Sequence, residues 1–185
     1  MTMAHGLLKG KRGIITGALN DQSIAWKVAE LAAAEGAQIV LSNAPVAMRM
    51  GEINKLAEAI KAPIIPADAT VDADLEKLFT GSVEQLGGKM DFVLHSIGMS
   101  PNVRKGKTYD DLNYEWYKQT LDISAMSFHR MLQAASKTDA INDWGSVVAL
   151  SYIAAQRVFP DYSEMAESKA LLESFGRSFG YHFGT

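Results

Sequence analysis

The sequence predicts an α/β fold, a doubly wound parallel sheet with helices on both faces. Short β-branched apolar runs alternate with longer amphipathic stretches from Lys11 to the end of the chain. The short runs are apolar along both faces, which is typical of buried parallel strands. Right-handed crossovers between such strands place the ligand crevice beyond their carboxyl ends. Functional residues are therefore expected just after each strand.

The first three elements follow directly from the residues. Residues 12–16 form a short β-branched run that opens into Gly17, which predicts a strand followed by a loop. Residues 23–35 are strong helix formers with apolar positions at helical spacing. Gly36 stands where a helix commonly ends, and 37–42 is a second buried strand.

The middle of the chain continues the alternation. Residues 48–60 have helical spacing, and the apolar run 62–66 predicts a brief third strand. A further helix is predicted over 71–86, where two glycines end it. The next apolar run, 90–97, predicts the fourth strand.

The last part of the chain contains the longest helical pattern. It covers residues 109–137 and is expected to break near 119–122. A fifth strand is predicted at 145–150 and a final helix at 162–183. No Pro/Ser-rich linker interrupts the pattern, so we expect one domain over residues 1–185.

Composition excludes several classes of function. Of 185 residues, 48% are hydrophobic and 21% charged, and 18 Lys+Arg against 21 Asp+Glu give a net charge of -3. Basic residues form no stripe, so we expect no binding of nucleic acid or an anionic membrane. There is no cysteine, which excludes thiolate chemistry and Cys-ligated metals, so redox chemistry would need a bound cofactor. Without a signal-like start or an apolar run of about 20 residues, the expected location is cytoplasmic.

The loop after the first strand occupies the place of a phosphate-binding turn. Such a turn brings backbone N–H groups and a helix N-terminus to a pyrophosphate. Only Gly17 remains of the usual glycine pattern, and Ser23 is equally explained as the N-cap of the next helix. After the third strand, Asp68 could accept a hydrogen bond from an adenine amino group, or it could cap the helix that follows.

The tip of the second strand leaves the cofactor subtype open. Dinucleotide-binding folds often place an acidic residue there for a ribose diol, or an arginine for a 2′-phosphate. The residues present, Asn43 and Ala44, are neither, while Arg49 is near enough in sequence to leave NADPH possible.

Tyr162 and Lys169 are the candidates for chemistry. They are seven residues apart on the predicted final helix, two turns along one face. A lysine ammonium favours ionisation of a nearby phenol, although a tyrosine and a lysine at this spacing also occur by chance. Tyr152, at the end of the fifth strand, could line the same cleft or be a core residue.

Two other kinds of site are disfavoured. The histidines are scattered along the chain, and we assign no metal. There is no G-x-S-x-G motif, which disfavours Ser/His/Asp hydrolysis.

Several short segments together resemble one family. They are Thr16-Gly17 with Ser23-Ile24-Ala25-Trp26, His95-Ser96-Ile97-Gly98, Leu150-Ser151-Tyr152, and Pro160-Asp161-Tyr162 with Lys169. From Gly10 onward the chain resembles the enoyl-acyl carrier protein reductases, NADH-dependent enzymes of bacterial type II fatty acid synthesis and a divergent branch of the short-chain dehydrogenase/reductases. The wider superfamily has a lysine four residues after the tyrosine and a serine thirteen before it. Those positions are Ala166 and Ala149 here, as in the enoyl reductase branch.

The resemblance implies a Rossmann-like fold and a set of binding residues. The residues implied for NADH, with NADPH not excluded, are Gly17, Ser23 and Ile24 at the pyrophosphate, Ala44 at the adenosine ribose, and Asp68 and Ala69 at the adenine. Ile97 and Gly98 are implied along the cofactor, and Lys169 at the nicotinamide ribose. The residues implied for the substrate are Tyr162 at the thioester carbonyl, Tyr152 in the acyl pocket and Ser100 nearby.

The resemblance also implies partners. The expected substrate is an enoyl chain linked to acyl carrier protein, and the expected assembly is a homotetramer formed through long helices such as 116–133. The family's later strands and mobile substrate-binding loop have no counterpart in the sequence, so we expect weak or absent activity from these residues alone. The alternatives are another short-chain carbonyl reductase and a non-catalytic dinucleotide-binding protein.

Overall fold

The computed structural model describes residues 5–49 and 52–184, and four strands in them form one sheet. The strands are β1 (Arg12–Thr16), β2 (Gln38–Ser42), β3 (Met90–His95) and β4 (Ile141–Ala149). Their order in the sheet is β2-β1-β3-β4. The chain moves outward from β1 to β2 and then returns to the other side of β1, so the strand order reverses there.

Strand β1 is the buried centre of this arrangement. It pairs in parallel with β2 and with β3, so that Ile14 lies beside Val40 on one side and Val93 on the other. All three side chains are almost completely buried. The pairing confirms the predicted parallel sheet. Because both faces of these strands are buried, their side chains are apolar on both faces.

The predicted third strand at 62–66 is wrong as a regular strand. Only an isolated parallel bridge joins Leu41 to Ile64, and the Leu41 N–H donates to the Pro63 carbonyl over 3.0 Å. Pro63 and Pro66 have no N–H to give to a ladder, which limits the pairing to this short contact.

Eight α-helices accompany the strands in the described residues. They are α1 (Ile24–Ala34), α2 (Pro45–Met48), α3 (Glu52–Ile60), α4 (Asp72–Leu86), α5 (Pro101–Arg104), α6 (Tyr114–Leu121), α7 (Ser127–Lys137) and α8 (Met165–Gly184). Helices α1 and α4 follow their predictions closely. Within the described residues, every helix is too short or too polar to span a bilayer.

The predicted helix at 48–60 starts too late. Helical structure already begins with α2 at Pro45, whose fixed φ suits the first position of a helix. Helix α3 then covers Glu52–Ile60. Residues 50 and 51 of the prediction lie outside the described residues.

The long pattern at 109–137 contains more structure than the prediction gives. It begins with a 3₁₀ turn at Tyr109–Asp111, and a π-helical turn, Asp122–Met126, joins α6 to α7 where a break is predicted. Strand β4 begins at Ile141, four residues before the predicted start. The prediction missed these residues because the polar Asn142 and Asp143 interrupt the apolar run.

The chain forms two compact units. One consists of Met1–Ser96 with Ala134–Val148, and the other of Ile97–Gln133 with Ala149–Thr185. Two of the three boundaries between them fall inside α7 and β4, and the third follows β3. The first contains the sheet, with α1 and α4 against β2 and fully buried side chains such as Phe79. The single domain expected over 1–185 stays a prediction.

Asp91 makes the first unit sensitive to acid. Burial alone would raise the pKa of Asp91, but hydrogen bonds from Arg12, Lys11 and Asn142 outweigh it and hold the pKa below its usual value. The carboxylate therefore stabilises the fold above its unfolded pKa of about 3.9, and this contribution is lost as pH falls through the lower folded pKa.

We expect Asp91→Asn to lower the free energy of unfolding by about 1 kcal/mol or less near neutral pH, since the site is partly exposed. The difference from the wild type should shrink as pH falls below about 4, as measured by urea unfolding at several pH values. Asp143→Asn, at an exposed position on β4, is the control. A difference for Asp91→Asn that stays constant with pH would contradict the expectation.

Candidate active site

Gly17 occupies a position that only glycine fits. Its φ is +88°, and a Cβ atom there would collide with the carbonyl oxygen of Ser96. Its N–H donates to the Ser42 carbonyl over 3.0 Å. The chain after β1 is therefore packed tightly against the ends of β2 and β3, which leaves no room for a side chain.

Ser23 stands at the N-cap position of α1, but its side chain does not cap the helix. Its hydroxyl donates to the Asn20 carbonyl over 2.7 Å and accepts from the Leu19 N–H over 3.2 Å. Ser23 is therefore the N-cap residue by position, and its contact with a pyrophosphate stays a prediction. The hydroxyl closes the loop after Gly17, and the N-terminal end of α1 begins with the exposed Ile24 and has no acidic residue in its first turn.

Asn43 connects three of the loops at this edge of the sheet, a role that the sequence analysis misses. Its side-chain amide donates to the Ala18 carbonyl over 2.9 Å and accepts from the Ala44 N–H over 2.8 Å. Its own carbonyl accepts from the Ala67 N–H over 3.1 Å. The sequence feature that could have indicated this role is an amide side chain directly after a buried strand.

Asp68 shapes the loop before α4. Its Oδ1 accepts hydrogen bonds from the N–H of Thr70 at 2.9 Å and from its hydroxyl at 2.7 Å. Val71, and not Asp68, holds the N-cap position of α4. The capping interpretation is therefore wrong, while the contact of Asp68 and the neighbouring Ala69 with an adenine stays a prediction.

Gly17→Ala should disrupt the loop between β1 and α1. The substitution adds a side chain at a left-handed φ and against a backbone carbonyl, so either β1 or the segment after β3 must shift. We expect a loss of about 2 kcal/mol or more in the free energy of unfolding, with weaker dinucleotide binding, measured by urea unfolding and fluorescence titration.

Gly6→Ala is the matched control for this substitution. Gly6 also has a positive φ, +71°, but a Cβ there meets no atom within 4 Å. Equal destabilisation by the two substitutions would mean that backbone strain, and not the close approach to Ser96, explains the effect.

Tyr162 lies before the final helix, not on it. Helix α8 begins at Met165, whose N–H donates to the Tyr162 carbonyl over 3.2 Å. Asp161 and Ser163, on either side of the tyrosine, have positive φ values of +59° and +46°. These left-handed residues prevent a helix from continuing through Tyr162, so the prediction of two helical turns between Tyr162 and Lys169 is wrong.

Tyr152 and Tyr162 are brought together. Their ring centroids are 4.6 Å apart, and the ring of Phe159 lies 5.3 Å from that of Tyr152. Tyr152 is 37% exposed, so it is not a core residue. Both phenols therefore lie in one partly exposed aromatic cluster of Tyr152, Phe159 and Tyr162.

Lys169 is buried on α8 with only 7% exposure. Its ammonium donates to the Leu150 carbonyl over 2.7 Å. A Cβ atom on Gly98 would lie 3.8 Å from Lys169 Nζ, so the backbone after β3 passes close to this charge. Burial lowers the pKa of Lys169, because the interior disfavours its charged form.

The ammonium of Lys169 was expected to lower the pKa of the Tyr162 phenol, and this effect is not observed. The pKa of Tyr162 is raised, by burial first and by Tyr152 second. Lys169 is instead bound to Leu150. Near neutral pH the Tyr162 phenol is therefore protonated, and it can donate a hydrogen bond to an oxygen that becomes negatively charged.

Ser100 is built into a buried polar cluster. It is 3% exposed, and its hydroxyl donates to Glu164 Oε1 over 2.7 Å and caps α5 by accepting from the Val103 N–H over 3.0 Å. Thr120 on α6 donates to the same carboxylate oxygen over 2.6 Å. The contact of Ser100 with a substrate stays a prediction, and Glu164 is a residue that the sequence analysis misses.

The π-helical turn holds the segment that contains Ile97 and Gly98. Ser124, fully buried in this turn, accepts from the Met99 N–H over 2.9 Å and donates to the Met99 carbonyl over 3.1 Å. Turns of this kind interrupt α-helices at many functional sites. In the described parts of the chain, no group of three potential metal ligands is assembled.

Comparisons with known proteins agree on one family. A family model described as enoyl-(acyl carrier protein) reductase matches residues 17–185. A similar curated protein is enoyl-[acyl-carrier-protein] reductase [NADH] 1 of Rhizobium meliloti, 35% identical over 100% of this chain and 66% of its own length. Another is enoyl-[acyl-carrier-protein] reductase [NADH] FabI of Rickettsia bellii, 36% identical over 93% of this chain and 64% of its own.

A solved structure is similar along nearly the whole chain. The crystal structure of the FabI–NADH complex from Alistipes finegoldii is 64% identical, with a TM-score of 0.95, over 97% of this chain and 64% of its own. The chain therefore spans about two thirds of the length of the proteins that it matches. This similarity confirms the predicted Rossmann-like fold.

Proposed function

Because this chain belongs to the enoyl-(acyl carrier protein) reductase family, we propose that its protein reduces the trans-2 double bond of enoyl thioesters linked to acyl carrier protein. The observation that carries the proposal is the pair of phenol rings of Tyr152 and Tyr162, 4.6 Å apart. This pair, with Ala149 where a carbonyl reductase would have a serine, distinguishes the arrangement from that of its ketone-reducing relatives.

NADH is the cofactor that we propose. The relatives from Rhizobium meliloti and Rickettsia bellii are named as NADH enzymes. The tip of β2 offers Asn43 and Ala44, without a cation for a 2′-phosphate. The loop closed by Gly17 and Ser23, with the N-terminal end of α1 at Ile24, would hold the pyrophosphate, as helix N-termini do.

Three other groups of residues are proposed for the remaining parts of the cofactor. Asp68 and Ala69 would meet the adenine, and Ile97 and Gly98 would line the nicotinamide end. Lys169 would donate to the nicotinamide ribose through the ammonium that Leu150 orients. The buried position of this ammonium strengthens its interaction with developing negative charge.

When bound, NADH supplies a hydride to the β-carbon of the enoyl thioester. The double bond then becomes an enolate, and its oxygen requires a hydrogen-bond donor. Tyr162 is suited to this task because its raised pKa keeps the hydroxyl proton in place. A proton taken up from solvent at the α-carbon then completes the saturated thioester. Tyr152, partly exposed beside Tyr162, would contact the acyl chain.

The test is NADH oxidation by the purified full-length protein that contains these residues, with a crotonyl thioester as substrate, followed by absorbance. We expect turnover with the enoyl thioester and none with a ketone substrate such as acetoacetyl thioester. Turnover of the ketone alone would indicate a carbonyl reductase. NADH binding without any turnover of either substrate would contradict the proposal and indicate a non-catalytic dinucleotide-binding protein.

We also propose that the protein assembles as a homotetramer through residues 116–133. Trp116 and Tyr117 on α6 are only partly buried in the single chain, which leaves apolar surface available. Light scattering of the purified protein tests this, since a monomeric mass would exclude it.

A further inference from the structure

A buried carboxylate lies directly after the turn that contains Tyr162. Glu164 has 0% exposure, and its Oε1 accepts hydrogen bonds from Ser100 and Thr120 over 2.7 and 2.6 Å. Among the described residues, none donates to its other oxygen, Oε2. Burying a carboxyl group with an unsatisfied oxygen destabilises a fold, so the residue calls for an explanation beyond packing.

The backbone next to this carboxylate is strained. Asp161 and Ser163, which flank Tyr162, both have left-handed φ values, +59° and +46°. Residues other than glycine adopt this conformation rarely, and it persists only where the surrounding structure holds it in place.

Two side chains anchor this strained turn. The turn consists of residues 161–163, and the hydroxyl of its last residue, Ser163, donates to the Lys107 carbonyl over 3.1 Å. Glu164 holds its end, and because Ser100 precedes α5 while Thr120 lies on α6, one carboxylate oxygen fixes the turn to two separate segments.

We infer that Glu164 is a positioning residue for Tyr162, and this inference rests on the function proposed above. By holding the strained turn, Glu164 keeps the Tyr162 ring against that of Tyr152. Lys169 has a different anchor, the Leu150 carbonyl. Loss of Glu164 should therefore displace the phenol while leaving the lysine and the binding of NADH nearly unchanged.

The experiment measures steady-state kinetics of Glu164→Ala with crotonyl thioester and NADH, using the full protein. We expect kcat to fall about 10-fold or more, as small displacements of reacting groups do, while KM for NADH changes less than about twofold. Glu164→Gln retains an acceptor oxygen for Ser100 and Thr120 and should recover most of the lost kcat. Ser82→Ala, which removes a buried hydroxyl that donates to Leu78 over 2.6 Å, is the control and should leave kcat unchanged.

A second readout does not depend on turnover. Rings in contact shift each other's proton resonances, so NMR of tyrosine-labelled protein reports the Tyr152–Tyr162 contact. We expect the Tyr162 resonances to move in Glu164→Ala and not in Ser82→Ala. If the wild type reduces no enoyl thioester, the proposed function fails, and these resonances still decide the positioning role.

Wild-type kcat and unchanged Tyr162 resonances in a folded Glu164→Ala protein would overturn the inference. If that variant does not fold, Thr120→Val removes one of the two donors and keeps the side-chain shape. We expect a smaller loss of kcat with movement of the same resonances. No change in either quantity would also overturn the inference.

Discussion

Replacing Lys169 by methionine is expected to lower kcat/KM for the enoyl thioester by about 100-fold or more in a protein that still folds. Methionine fills a similar volume, and the lysine is buried at 7% exposure with a lowered pKa, so removing its charge relieves a desolvation cost. The loss should therefore come from the missing ammonium at the nicotinamide ribose. NADH oxidation, with NADH affinity measured by fluorescence titration, checks this expectation.

Lys105→Met is the matched control for this substitution. Lys105 lies in the same unit as Lys169, directly after α5, and it is exposed. An exposed charge of this kind contributes little, so the kcat/KM of the variant should equal that of the wild type. A Lys169→Met protein with wild-type kcat/KM would exclude the assigned role of the lysine.

The second large effect is expected from Tyr162→Phe. This substitution keeps the ring and its contact with Tyr152 at 4.6 Å and removes only the hydroxyl, the proposed donor to the enolate oxygen. Loss of one such donor costs about 100-fold in kcat. NADH affinity should change less than about twofold, because the phenol is not assigned to the cofactor; steady-state kinetics and titration measure the two effects separately.

Two further tyrosine variants make this result specific. Tyr114→Phe alters an exposed phenol of the same unit, and no effect on kcat is expected. Tyr152→Phe should raise KM for the acyl substrate more than it lowers kcat, because Tyr152 is assigned to the acyl chain. If Tyr152→Phe and not Tyr162→Phe abolished turnover, the roles of the two phenols would be exchanged.

Much of the sheet could be predicted because its signals are local. A continuous β-branched run such as residues 12–16 places apolar side chains on both faces of a strand, so a parallel strand buried on both faces is predicted. The strand at 62–66 failed for an equally local reason, because its two prolines remove ladder donors. The sequence also allows Tyr152, Tyr162 and Lys169 to be proposed as site residues.

The geometry between those residues could not be predicted in the same way. Helical spacing placed Tyr162 on a helix, whereas contacts with distant parts of the chain hold a strained turn there. The pKa shift of its phenol likewise depends on burial, which is a property of the folded chain. Ser23 does stand at the N-cap position of α1, but which group its hydroxyl binds was not predictable, and it bonds within the preceding loop.

The sequence by itself determined the alternation of strands and helices, the parallel sheet and the glycine after β1, and it allowed two tyrosines and a lysine to be proposed for chemistry. These depend on periodicity, backbone freedom and side-chain chemistry, which act over a few residues. Only the tertiary structure decided the partner of Lys169, the contact of the two phenols and the anchoring of their turn by Glu164. Those depend on groups separated by up to 64 positions in the chain, which folding alone brings within hydrogen-bond distance.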